Sequence, residues 1–185
     1  MNSPAVNVFV YGTLRLGYSN YRRVMEPFSS SFEHLGLAET VEPFHLLFTD
    51  AYSIPYACAV CGKGSPIKGE LYRVDSAMLE RLDELEGVSS GRYSRVSTRV
   101  TRRGERGAEL GAERGAERGV ERGAEGTEEG TEEDALMYCI TANVPRLESR
   151  VALREFTKEL DSKWVPPADR DQGLRQPWGG YEREP

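Results

Sequence analysis

Val6-Asn7-Val8-Phe9-Val10-Tyr11, running into Gly12-Thr13-Leu14, is the stretch from which the rest of the chain is read. Successive residues of a strand face opposite ways, so a run that is apolar at nearly every position suits a strand covered on both faces. It stops at Gly12, which predicts a central strand running into a turn. Such a turn can aim its next backbone N–H groups the same way and form a small concavity for a carboxylate or an oxyanion. Tyr11, Gly12, Thr13 and Leu14 are therefore candidate binding residues. Taken alone, the same residues are better read as a plain structural turn, because strand-to-loop turns with Gly are common.

Working outward, Ser19 is placed to cap a short helix from Asn20 to about Met25. Val41 to Phe48, Pro55 to Cys61 and Lys68 to Val74 read as further strands, followed by a helix over Ser76 to Glu86 that Gly87 closes. Arg92 to Val100 and Ala135 to Val144 add two more strands, and the Pro-, Gly- and Arg-rich tail from Lys163 reads as irregular. Many strands with a few short helices predict an α+β domain built on a curled mixed sheet rather than an alternating doubly wound fold.

Between the last two strands, Thr101 to Asp134 is a degenerate Gly-Ala-Glu-Arg repeat whose large aliphatics are Leu110 and Val120. Such a composition cannot offset its ordering entropy, so the segment reads as a flexible insertion in a single domain spanning 1–185. It holds six arginines against eleven acidic residues, so nearly all of the net charge of −6 lies there. Closure entropy grows only logarithmically with loop length, and the two flanking strands should tolerate the insertion. A chain of this charge is a poor fit for nucleic acid, which needs clustered Lys and Arg. Nor does any window approach a membrane span or a signal peptide, so a cytoplasmic address is expected. The Cys58-Ala59-Val60-Cys61 spacing suggests zinc or redox chemistry, but residues three apart in a strand face opposite ways, and no metal is expected.

On a helical wheel Met78, Leu79, Leu82 and Leu85 form one apolar stripe while Glu80, Arg81, Asp83 and Glu84 face elsewhere, and Glu86 falls inside the stripe. Burial and the partial negative charge of a helix C-terminus would both raise its carboxyl pKa toward neutrality, as a general acid/base requires. The wheel alone leaves open a frayed helix end with Glu86 in water.

Val8-Phe9-Val10-Tyr11-Gly12-Thr13-Leu14, Gly69-Glu70-Leu71-Tyr72 and Leu82-Asp83-Glu84-Leu85-Glu86-Gly87, with Tyr93 and Arg95 following, together resemble the γ-glutamylcyclotransferase-like (AIG2-like) family. Val41-Glu42-Pro43-Phe44 and Ser53-Ile54-Pro55-Tyr56 draw the resemblance toward its γ-glutamylaminecyclotransferase branch, with a fainter echo in Gly173-Leu174-Arg175. The resemblance implies the family's curled sheet or barrel, and the release of 5-oxoproline and a free amine from a small-molecule γ-glutamyl substrate such as γ-glutamyl-ε-lysine. It implies Glu86 as the catalytic acid/base, Tyr11 to Leu14 as the substrate-binding turn, and no cofactor. γ-Glutamyl amino acids or glutathione-like peptides are alternative substrates, and a non-catalytic binding module on the same fold is an alternative role.

Overall fold

The computed structural model describes residues 5–48, 52–58, 64–102, 130–140 and 153–170. β1 (Val6–Val10) is paired on both edges and buried on both faces from Val8 to Val10, as its apolar run requires. It runs antiparallel to β5 (Lys68–Val74), with Val8 opposite Tyr72. It also runs parallel to β7 (Thr131–Ile140), with Val8 opposite Leu136 and Phe9 opposite Met137. β5 pairs in turn with β2 (Phe32–Thr40), β2 with β6 (Ser94–Arg102) and β6 with β7, so the return of β7 to β1 closes a five-stranded barrel. A hairpin of β3 (His45–Phe48) and β4 (Pro55–Cys58) is attached to the far end of β7, where Ala57 lies opposite Cys139. This is an α+β fold with a mixed, curled sheet.

One edge of β7 therefore changes partner, from β1 at Met137 to β4 at Cys139. The Tyr11 side chain fills that fork: its hydroxyl donates to the Tyr138 carbonyl at 2.7 Å and accepts from the Ala57 N–H at 3.0 Å. Both backbone groups would otherwise lose a ladder partner where the strands part. The turn after β1 is thereby held at the mouth of the fork.

The alternation of the strands sorts the core into two layers. Phe9, Leu71, Val100 and Met137 belong to one; Val8, Val10, Tyr72 and Tyr138 belong to the other, which packs on Met78 and Leu82 of α1 (Ser76–Glu86). Asp75 starts α1 by accepting from the Met78 N–H at 2.8 Å, as an N-cap carboxylate does. A Schellman motif ends it: Gly87, at φ 67°, donates to the Glu84 carbonyl at 3.2 Å, and Val88 donates to the Asp83 carbonyl at 3.0 Å. Glu86 is thus the last helical residue, fixed rather than frayed.

Several expectations change. β2 has no counterpart in the sequence reading because a bulge between His34 and Gly36, with Gly36 at φ 111°, breaks its alternation; Leu35, Ala38 and Thr40 are the buried positions. The strand expected from Val41 starts only at His45. Ser19 caps nothing among the described residues. The Thr13 carbonyl instead accepts from the Asn20 and Tyr21 N–H groups, at 2.9 Å each, and a π-type turn follows over Tyr21–Met25. The outer ends of the expected insertion are strand, since β6 continues to Arg102 and β7 begins at Thr131, tied by Arg102 to Glu133 at 2.8 Å. Residues 103–129, Cys61 and Gly173 to Arg175 lie outside the described residues.

Residues 153–170, including the short α2 (Lys158–Asp161), run across the domain. Leu153 donates to the Leu46 carbonyl, Arg15 and Tyr18 donate to the Phe156 carbonyl, and Val165 donates to the Tyr52 carbonyl. No helix among the described residues is long and apolar enough to cross a membrane. Nor do they hold a group of three or more His, Cys, Asp or Glu side chains suited to a metal ion.

Candidate active site

Glu86 and the turn after β1 meet in one place. A pocket of about 340 Å³ is lined by Phe9 to Leu14, Pro55, Glu86 and Tyr138. All five residues named from the sequence, Tyr11, Gly12, Thr13, Leu14 and Glu86, thus share a wall, although they lie on a strand end and a helix end far apart in the chain.

Three contacts shape the turn. Arg15 donates to the Gly12 carbonyl at 3.1 Å, Asn20 donates through its side chain to the Thr13 hydroxyl at 2.8 Å, and the Leu16 N–H donates to Glu70 at 2.8 Å. Among the described residues the N–H groups of Thr13 and Leu14 donate to no protein acceptor, which leaves them for an incoming oxygen. Gly12 is required by space rather than by backbone conformation. A Cβ there would lie 2.5 Å from the Pro55 side chain, which closes over the turn. The Tyr11 side chain serves the fold through its wedge contacts, so its share in the pocket wall is that of a positioned residue.

Glu86 is partly buried, and its carboxylate makes no hydrogen bond or ion pair with any described residue. Burial pushes its carboxyl up to about 7, opposed in part by the Arg92 guanidinium. The sequence reading had burial right, but the helix end acts differently. Arg92 donates to the carbonyls of both Leu85 and Glu86, the latter at 2.9 Å, and so neutralises the negative end of the helix. The carboxyl keeps enough contact with solvent to meet a small molecule, while enough protein surrounds it to disfavour its charge.

A second pocket, of about 540 Å³, adjoins the first and shares Thr13, Pro55 and Glu86 with it. Its remaining walls are Asn20, Arg23, Ile54, Leu85, Arg92, Tyr93, Trp164, Pro167 and Arg170. Tyr138, which donates to Asp83 at 2.8 Å, and these outer residues were mostly missed by sequence reasoning. Only Ile54, Pro55, Leu85 and Tyr93 fell within quoted motifs. Trp164 and Arg170 come from the run that read as irregular tail, and no local pattern marks them.

Known proteins give the same picture. The sequence is 44% identical over 79 residues to gamma-glutamylaminecyclotransferase B of Danio rerio, covering 43% of this chain and 41% of that protein. It is 37% identical over 84 residues to the gamma-glutamylaminecyclotransferase of Rattus norvegicus, covering 45% and 56%. The chain spans about half the length of the curated relatives it matches. The crystal structure of an AIG2-like protein from Mus musculus superposes with a TM-score of 0.69 over 91% of this chain and 100% of that one, at 23% identity, which speaks to the fold. The pattern of the family described as gamma-glutamyl cyclotransferase, AIG2-like, matches residues 8–156, a span that takes in β1 with its turn, α1 with Glu86, and every strand of the barrel. The chain belongs to that family.

Proposed function

We propose that the protein is a γ-glutamylamine cyclotransferase that converts a γ-glutamyl amine such as γ-glutamyl-ε-lysine into 5-oxoproline and the free amine. The observation that carries this reading is a lone carboxylate, raised to about 7, on the same pocket wall as a turn with unused N–H groups.

The substrate brings its own nucleophile, so no Ser, Cys or metal is called upon. Its α-ammonium is unreactive while charged. Glu86, as carboxylate, takes a proton from it, and the freed amine attacks the γ-carbonyl carbon to form the ring C–N bond. The protonated Glu86 then gives its proton to the departing nitrogen as the old C–N bond breaks, and the ring nitrogen, still cationic after attack, loses its second proton to solvent, so that the neutral lactam of 5-oxoproline, the free amine and the starting carboxylate result. A pKa near 7 suits both transfers. The Thr13 and Leu14 N–H groups are placed to hold the oxygen that gains charge in between, and Pro55, Tyr138 and the apolar walls keep the glutamyl chain curled for ring closure.

In this reading one domain, 1–185, carries the reaction and residues 103–129 take no part in it. The address is cytoplasmic, where the buried Cys58 and Cys139 would stay thiols. The test is chromatographic release of 5-oxoproline from a panel of γ-glutamyl amines, γ-glutamyl amino acids and glutathione. Release from γ-glutamyl-ε-lysine above the γ-glutamyl amino acids and glutathione is expected, and release from none would overturn the reading.

A further inference from the structure

The two pockets differ in character. Glu86 is the one charged side chain that lines the inner one, whereas three arginines, Arg23, Arg92 and Arg170, line the outer one. Glu86 is the one carboxylate among the outer pocket's lining residues. Among the described residues none of the three guanidiniums is in an ion pair; each is held by neutral groups. Arg23 donates to the Asn20 side chain at 3.1 Å, Arg92 to the last carbonyls of α1, and Arg170 to the Val165 carbonyl at 2.9 Å.

Trp164 organises two of them. The guanidiniums of Arg23 and Arg170 lie 5.9 and 5.8 Å from its ring centre, so aromatic contact orients the cations while leaving their N–H edges for another partner. Their mutual repulsion is felt: burial, then the charge of Arg92 and that of Arg23, hold Arg170 below the usual guanidinium range. Among the described residues Glu86 is the one carboxylate that faces these three cations, and an anion bound between Arg23 and Arg170 would offset their mutual repulsion.

We infer that the outer pocket is the leaving-group subsite and selects γ-glutamyl amides whose departing amine carries a carboxylate, which Arg23 and Arg170 receive. This rests on the cyclotransferase reading, because Glu86 stands at the junction of the two pockets and must reach the departing nitrogen. With the glutamyl part curled in the inner pocket, the amine extends into the outer one. Arg92 is a poorer candidate for the contact, since its donors are engaged with the helix end.

The test compares γ-glutamyl-ε-lysine with γ-glutamylcadaverine, the same amide without its carboxylate. The parent is expected to favour the lysine compound by about 10²-fold in kcat/KM. In Arg23→Gln and Arg170→Gln that preference should fall at least about fivefold each, through KM, with turnover of γ-glutamylcadaverine unchanged or improved. Arg23→Lys and Arg170→Lys should keep most of it, and added salt should erode it. Arg23 is exposed on a surface turn, so its variants carry the test even if a change at Arg170 disturbs folding. A parent ratio near one overturns the inference while leaving the cyclotransferase reading intact. Variants that weaken both substrates equally also overturn it, by assigning the arginines to the glutamyl end. Release of 5-oxoproline from neither compound overturns both.

Discussion

Glu70 and Glu86 are the same residue type, both withdrawn from water, and their surroundings drive them in opposite directions. For Glu70 on β5, burial alone would raise the carboxyl, but donors outweigh it and hold the group below the usual carboxylate range. Those donors are His34 at 3.4 Å, the Leu16 N–H and Tyr72 hydroxyl at 2.8 Å each, and Arg15 at 3.4 Å. Glu86 has burial without donors and rises to about 7. Partner count, not burial, separates a carboxylate that braces a fold from one free to exchange protons. The two are linked in space, because Glu70 anchors Leu16 and Arg15, which continue the turn that faces Glu86.

Removing the proton-exchanging carboxyl gives the largest effect. Glu86→Gln should lower kcat by at least about 10²-fold with substrate binding largely kept, measured as 5-oxoproline release. Its stability moves the other way. A folded-state pKa raised from 4.5 to about 7 means that the charged form destabilises the fold, so the penalty is absent below about pH 4.5, grows as pH rises and is complete above about pH 7. At pH 8 the amide should therefore be more stable by up to about 2 kcal/mol, and at pH 4 no different, by thermal melts. Glu84→Gln, on the exposed face, should change neither quantity. Near-parental turnover by Glu86→Gln would break the contrast between the two glutamates.

The parent's own pH profile sharpens it. Because Glu86 must begin as carboxylate, kcat/KM should fall about tenfold per pH unit below its pKa of about 7. A profile flat down to pH 5 would mean that the working base is a different group.

Glu70→Gln should do the reverse of Glu86→Gln, costing about 2 kcal/mol of stability at pH 7 because Arg15 and the Leu16 N–H lose a charged acceptor. Glu70 has a lowered folded-state pKa, so its contribution is present above the unfolded value near 4.5 and is lost as pH falls through the folded one. The gap between parent and variant should therefore narrow in acid. An amide as stable as the parent at pH 7 would show that the donors around Glu70 are dispensable.

The smallest effect is expected outside both regions. Replacing residues 104–129 by a short Gly/Ser linker keeps the Arg102–Glu133 pair and should shift the melting free energy by less than about 0.5 kcal/mol, with turnover kept. A loss of several kcal/mol would tie that Gly/Glu/Arg-rich stretch to the domain.

What the sequence determined by itself is what local periodicity encodes. The unbroken apolar run of β1 demanded burial on both faces, and the wheel and Gly87 set the helix and put Glu86 on its apolar side. The bulged β2 escaped because its buried positions, Leu35, Ala38 and Thr40, follow no single period. Tertiary structure alone decided the rest, because those groups are joined by contacts between residues remote in sequence. Tyr11 proved to be a wedge only once β7 was seen to change partners between β1 and β4. Arg92 quenched a helix end that the wheel had counted as negative, and Glu70 acquired its donors from β2, β5 and the turn after β1. Trp164 and Arg170 reached the pocket because 153–170 crosses the domain on hydrogen bonds to Leu46, Tyr52, Arg15 and Tyr18. A local pattern can say that a side chain is buried, but only the packed chain supplies the neighbours that fix its charge and its role.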